Sequence, residues 1–123
     1  MKQIWSGTWS SGSITVSELP YYNVFRVIIN NVWNTYMSVI CTRSVGGSGE
    51  KYLSGGLPYP DNTDSIGWVL FRAEVSGTAE TTITGTINNS IGNKRPADYY
   101  YNRINGSLGA DREYSVVSIY GLL

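Results

Sequence analysis

The sequence predicts an all-β domain, an antiparallel β-sandwich of jelly-roll-like type with about eight strands. Its apolar runs are short, rich in Val, Ile, Thr and aromatic residues, and separated by Gly or Asn. Charged residues make up 15% of the chain, against about 25% in a typical domain. Glycine, serine, threonine and asparagine take their place, and these residues form helices poorly. The 123 residues are the size of one domain, so residues 1–123 are expected to share a single core.

The strands are placed by alternation of apolar and polar residues and by the turn residues between them. Residues 24–29 are apolar at nearly every position, which predicts that both faces of this strand are covered. Asn30 and Asn31 then favour a turn and a hairpin with the next strand. Residues 43–65 are rich in Gly and Pro and are interpreted as a long irregular segment with one short strand. The predicted strands cover residues 3–9, 12–18, 24–29, 35–42, 50–53, 66–75, 80–87, 99–105 and 113–120.

Composition excludes several classes of function. Nine basic and nine acidic residues give zero net charge, and no basic stripe is present, so nucleic-acid binding is not expected. No run approaches the roughly 18 apolar residues of a membrane span. The first seven residues have no apolar signal core, so we expect synthesis as a soluble cytoplasmic product or as part of a longer chain. Cys41 is the one cysteine, and its strand-like surroundings predict a buried small side chain.

Catalysis is not expected. The chain has no histidine, which removes Ser-His-Asp and Cys-His sites and the usual zinc sites. A glycosidase needs only two carboxylates, but Asp61 and Asp64 have a spacing typical of a turn. The same pair lacks the ligand density of a calcium loop. We therefore predict no enzyme, no metal and no cofactor, and keep a small cell-wall hydrolase as an alternative. The other carboxylates considered are Asp98, Asp111 and Glu113.

Aromatic side chains are the most suggestive feature. The chain has four Trp and ten Tyr but only two Phe. Tyr and Trp combine a flat apolar face with a polar group, which suits stacking on sugar rings and equally suits a protein interface. Residues 98–103 are the densest cluster. In a strand, Tyr99, Tyr101 and Arg103 share one face, while Tyr100 and Asn102 share the other.

Two short segments near the ends carry a family resemblance. Residues 4–9 read Ile-Trp-Ser-Gly-Thr-Trp, and residues 11–16 and 21–25 continue as Ser-Gly-Ser-Ile-Thr-Val and Tyr-Tyr-Asn-Val-Phe. Residues 117–122 read Val-Ser-Ile-Tyr-Gly-Leu. Together they resemble the C-terminal domains of tail, tail-fibre and baseplate proteins of phages and prophages. The middle of the chain is unmatched.

The resemblance implies a β-sandwich, frequent homotrimers, a place in the virion tail beside other tail proteins, and contact with a bacterial surface polysaccharide. Its motifs mark strands, so no binding residue is carried over from the family. Met1 stands directly before the first strand, where the family has a long N-terminal shaft. This difference leaves open an excised fibre tip or a free-standing small protein.

The leading hypothesis is a receptor-binding tail domain that recognises a bacterial glycan without catalysis. Trp33 is expected at an exposed hairpin turn, whereas Trp5, Trp9 and Trp68 are expected in the core. In the predicted site aromatic rings stack on the sugar, the aspartate accepts hydrogen bonds from hydroxyls, and the arginine donates to oxygen atoms. The alternative is a structural tail or baseplate protein whose tyrosines form a subunit interface. The predicted ligand-binding residues are Trp33, Tyr59, Asp98, Tyr99, Tyr101 and Arg103.

Overall fold

The structure is a computed structural model that describes residues 1–10, 12–30, 36–62, 65–85, 99–102, 107–108 and 115–123. Side-chain environments are described for residues 1–10, 12–30, 36–56, 71–84 and 115–123.

All regular structure in the described residues is β-strand, apart from one turn of 3₁₀-helix at Leu19–Tyr21. Pro20 stands at the start of that turn, where a backbone N–H has no partner within the helix. Proline, which has no backbone N–H, is therefore tolerated there. Every strand pairing is antiparallel. The strands are β1 Lys2–Trp9, β2 Gly12–Thr15, β3 Val24–Asn30, β4 Tyr36–Val45, β5 Lys51–Asn62, β6 Ser65–Ser76, β7 Thr82–Gly85, β8 Tyr99–Asn102, β9 Ser107–Leu108 and β10 Ser115–Gly121.

Eight strands form one continuous sheet in the order β1-β10-β3-β4-β5-β6-β7-β2, and β8 and β9 branch from the edge of β6. The two ends of this path, β1 and β2, are separated in sequence only by residues 10 and 11. The sheet must therefore roll into a nearly closed, barrel-like form. The predicted all-β antiparallel class with about eight strands is confirmed. The expected division into two sandwiched sheets is not confirmed, because hydrogen bonds join these strands in a single path.

The seam between β1 and β2 is bridged at both ends. At one end the Trp9 indole N–H donates to the Gly12 carbonyl at 3.1 Å. At the other, Lys2 Nζ lies 2.7 Å from a carboxylate oxygen of Glu18. The hydrogen bond with Glu18, and then its charge, raise the pKa of Lys2.

The core lies inside the rolled sheet and follows the two-residue period of the strands. In β3, Phe25, Val27 and Ile29 are buried, while the intervening positions are half-buried rather than part of the core. Trp9 and Cys41 are buried as predicted, and Trp5 packs partly buried against the core. The remaining buried apolar residues are Val16, Leu19, Val39, Leu53, Phe71, Ala73, Val75, Ile83, Val116 and Ile119.

The prediction of a long irregular segment over residues 43–65 is wrong. β4 continues to Val45, a tight turn follows, and β5 runs for 12 residues beside β6. Gly55 does not interrupt β5, because a larger residue would not fit between β5 and β4 at this position. A Cβ at Gly55 would collide with the carbonyl oxygen of Ile40 on β4, so the glycine permits close approach of two backbones. No helix among the described residues is long and apolar enough to cross a membrane.

Candidate functional site

The predicted aromatic site falls largely outside the described side chains. Trp33, Asp98 and Arg103 lie outside the described residues. Tyr59 lies in β5, and Tyr99 and Tyr101 lie in β8, where backbone register is the available observation.

Backbone register places the predicted tyrosines along the two sides of β6. Tyr101 is opposite Trp68, and Tyr99 is opposite Leu70. Tyr59 is opposite Gly67, in the row next to that of Trp68. Because successive rows of a sheet alternate between its faces, Tyr59 belongs to one set of rows and Tyr99 and Tyr101 to the other. Their role in binding stays a prediction.

A surface cleft of about 300 Å³ lies between the 3₁₀ turn, the adjoining ends of β4 and β5, and the turn before β7. This is the lower end of the range for small-ligand pockets. Its walls combine one aromatic ring, two apolar side chains and several charged or polar groups. The lining residues are Pro20, Asn23, Arg43, Ser44, Val45, Lys51, Tyr52 and Glu80.

Arg43 is the most firmly held of these residues. Its Nε donates to the Tyr22 carbonyl at 2.8 Å, and its Nη2 donates to the Leu19 carbonyl. Its guanidinium carbon also lies 5.5 Å from the centre of the Phe25 ring, a cation–π distance. The half-buried guanidinium therefore ties the 3₁₀ turn to β4 and presents a fixed positive charge at the cleft.

Lys51 and Glu80 form an ion pair at the rim of the cleft, through Lys51 Nζ and a Glu80 carboxylate oxygen. The hydrogen bond from Lys51, then its charge, and to a smaller extent the charge of Arg43 lower the pKa of Glu80. Glu80 has a left-handed backbone with φ of 55°, a conformation uncommon for residues other than glycine. The turn from Gly77 to Glu80 is closed by a hydrogen bond from the Glu80 N–H to the Gly77 carbonyl at 3.1 Å.

Tyr52 is the aromatic residue of the cleft lining, and it stands in the register row next to that of Arg43. Its ring lies 5.0 Å from the guanidinium carbon of Arg72, whose row on β6 is also that of Ser54. This contact restrains the ring on a rigid strand. Pro20 and Val45 add apolar surface, and Val45 is 70% exposed.

The arrangement is suited to binding a small polar molecule with an apolar face. A sugar ring has such a face, and its hydroxyls need both donors and acceptors. Arg43, Asn23 and Lys51 offer donors, while Glu80 and Asn23 offer acceptors. Over the described part of the chain, no group of three or more His, Cys, Asp or Glu side chains is placed to hold a metal ion.

Comparison with protein-family profiles, with curated proteins and with solved structures finds no match for this chain.

Sequence reasoning did not find this cleft. The sequence predicts Arg43 in an irregular segment, Tyr52 in a short strand within that segment, and Glu80 at the start of a later strand. No local pattern brings the three residues together. The one available signal was an arginine within the Thr-Arg-Ser end of β4, where the strand is otherwise uncharged. A charged residue in such a strand needs a partner, but the sequence does not say that backbone carbonyls supply it.

Proposed function

We propose that this chain is a receptor-binding domain of the phage-tail type that recognises a bacterial surface glycan without catalysis. The observation that carries the proposal is the cleft at Arg43, whose lining brings together an aromatic residue, a fixed cation and an ion pair. Sugar-binding sites need this combination, because the C–H face of the ring stacks while the hydroxyls require polar partners.

The location of the cleft also supports binding. Arg43 and Tyr52 lie on neighbouring strands, where side chains are held more rigidly than on loops. Two backbone carbonyls and one aromatic ring orient Arg43. A ligand would therefore meet preformed groups and would not have to order them, which favours affinity.

The predicted aromatic segment extends this proposal to a longer glycan. Pro58, Trp68 and Tyr101 share one register row across three strands. This row lies six residues along β5 from Tyr52, a separation of about 20 Å at the usual rise of a strand. We expect a polysaccharide to contact both regions, with Trp33, Asp98, Tyr99, Tyr101 and Arg103 as the predicted second set of contacts. Tyr59 belongs to the other set of rows and is expected to contact the glycan only if the glycan passes around the edge of the sheet.

The test is binding of the purified chain to a glycan array and to isolated bacterial cell walls. Tyr52→Ala, Trp33→Ala and Tyr101→Ala are expected to reduce binding at least several-fold, as stacking residues do. Tyr36→Ala is the matched control for Tyr52→Ala, because Tyr36 is 65% exposed at the opposite end of β4 from the cleft. Intact binding in all three variants would refute the site assignment. Release of reducing sugar from the walls would instead indicate a hydrolase.

A structural tail or baseplate subunit is the second candidate, and a specific surface favours it. Tyr36 and Ile40 on β4 are 65% and 51% exposed, and Ile40 shares a row with Arg26 and Tyr120. A contiguous exposed apolar patch marks an interaction surface, and Tyr36 and Ile40, which alternate onto the same face of β4, are the candidate start of one. Light scattering would give the mass in solution. A trimer that Ile40→Lys dissociates, together with no glycan binding, would favour this function.

A further inference from the structure

We propose that the cleft at Arg43 selects an acidic sugar, one that carries an oxyanion such as a carboxylate or a phosphate, over neutral sugars. This inference rests on the proposed function and names the class of ligand that the cleft takes. It follows from the balance of charge in the cleft and from the groups that Arg43 leaves unused.

The charges of the cleft lining do not cancel. Lys51 and Glu80 neutralise each other as an ion pair. Arg43 is then left with a full positive charge, because its hydrogen-bond acceptors are the neutral carbonyls of Leu19 and Tyr22. A guanidinium stays protonated in proteins, so this charge persists over the whole accessible pH range.

The unused side of Arg43 has the geometry that an oxyanion requires. A guanidinium has five N–H donors, and the described carbonyl contacts use one on Nε and one on Nη2. These two donors form one edge of the plane. The edge between Nη1 and Nη2 keeps two parallel N–H groups, which match the two oxygens of a carboxylate or phosphate.

The other residues of the cleft lining indicate what the ligand carries besides the acid group. Pro20 and Val45 offer surface for the apolar face of a ring, and Tyr52 is also part of the cleft lining. Asn23 and Glu80 can exchange hydrogen bonds with ring hydroxyls. A free inorganic anion would leave this surface unused, so a sugar ring with an attached acid group fits the cleft better than a simple ion.

The probes are galacturonic acid and glucose 6-phosphate, each compared with its neutral parent, galactose or glucose, in titrations of the intact chain by NMR or calorimetry. We expect at least one acidic sugar to bind more tightly than its parent and to weaken as salt is raised. Lys51→Gln should weaken acidic-sugar binding by about two- to five-fold, and Glu80→Gln should strengthen it by a similar factor.

Lys2→Gln and Glu18→Gln are matched controls. They alter an ion pair of similar exposure at the β1–β2 seam, and neither residue is in the described cleft lining. Lys2→Gln leaves the 3₁₀ turn unaltered and is the stricter control, because Glu18 is the N-cap of that turn. Both variants should leave sugar binding unchanged. Arg43→Lys keeps the charge but removes the paired donors, so it should reduce the preference for the acidic sugar while the fold, checked by circular dichroism, is retained. Equal affinity for acidic and neutral sugars would overturn the inference. So would equal effects of Lys51→Gln and Lys2→Gln.

The two proposals fail differently. In one outcome the chain binds cell walls, Tyr52→Ala abolishes that binding, and neutral sugars compete as well as acidic ones. That outcome supports the glycan function and refutes the preference for acidic sugars. If the chain binds neither cell walls nor any sugar, both the proposed function and the preference for acidic sugars are refuted.

Discussion

The ring of Tyr22 lies directly on Gly121, so that a Cβ at Gly121 would be 2.6 Å from three atoms of the ring. This contact joins the segment after the 3₁₀ turn to the end of the last strand. Backbone bonds strengthen the junction, since the Asn23 and Val24 N–H groups both donate to the Leu123 carbonyl.

Gly121→Ala is therefore expected to destabilise the protein by about 1–3 kcal/mol, because the added methyl group forces Tyr22 out of place. The free energy of unfolding in urea is the measurement. Gly47→Ala is the control, since a Cβ there meets nothing within 4 Å and Gly47 does not need a left-handed backbone. Equal stability of the two variants would contradict the packing described for Tyr22.

Arg43→Met is expected to lower the free energy of unfolding by about 2–4 kcal/mol. The substitution removes two charged hydrogen bonds to the 3₁₀ turn and the cation–π contact with Phe25, while keeping much of the side-chain volume. Urea unfolding of Arg43→Met and Lys51→Met gives the comparison. Because Lys51 holds only an exposed ion pair, its variant should lose far less. A small loss at Arg43 would show that it does not anchor the turn.

The Cys41 thiol is expected to be inert in the folded protein. Burial raises the pKa of Cys41 to about 12, so at pH 8 only about one thiol in ten thousand is the reactive thiolate. Cys41 is also fully buried, so reagent cannot reach it. Ellman's reagent should react at the rate of unfolding in buffer and within seconds in 6 M guanidinium chloride. Fast reaction in buffer would mean that β4 opens.

Glu80 is expected to contribute stability at neutral pH that disappears in acid. The ion pair with Lys51 lowers the pKa of Glu80 in the folded protein below its ordinary value of 4.5. Stability from a lowered carboxyl pKa is present above the unfolded value and is lost as pH falls through the folded value. The difference in Tm between the native chain and Glu80→Gln should therefore shrink below about pH 4.5. A difference that is constant from pH 7 to pH 3 would argue against the ion pair.

The amino-acid sequence by itself determined the class of the fold and most of its strands. The two-residue alternation in residues 66–75 placed Phe71, Ala73 and Val75 on one face, and all three are buried. Alternation is a local property of the backbone, so it can be read without knowing the partners of a strand. The same local reasoning identified Cys41 as a buried side chain.

Only the tertiary structure decided how the strands close and which residues share a cleft. A sandwich and a rolled sheet have the same strand pattern and differ in pairings between distant segments, such as β10 with β1 and β3. The glycines and prolines around Gly55 locally predict a loop. The reason for a glycine at this position is the close approach of Ile40, which belongs to another strand. Arg43 and Glu80 likewise meet only because β4, β5 and the turn before β7 converge. Such contacts depend on which distant strands pair with each other. A local pattern shows which face of a strand is buried, but it does not identify the partner strand.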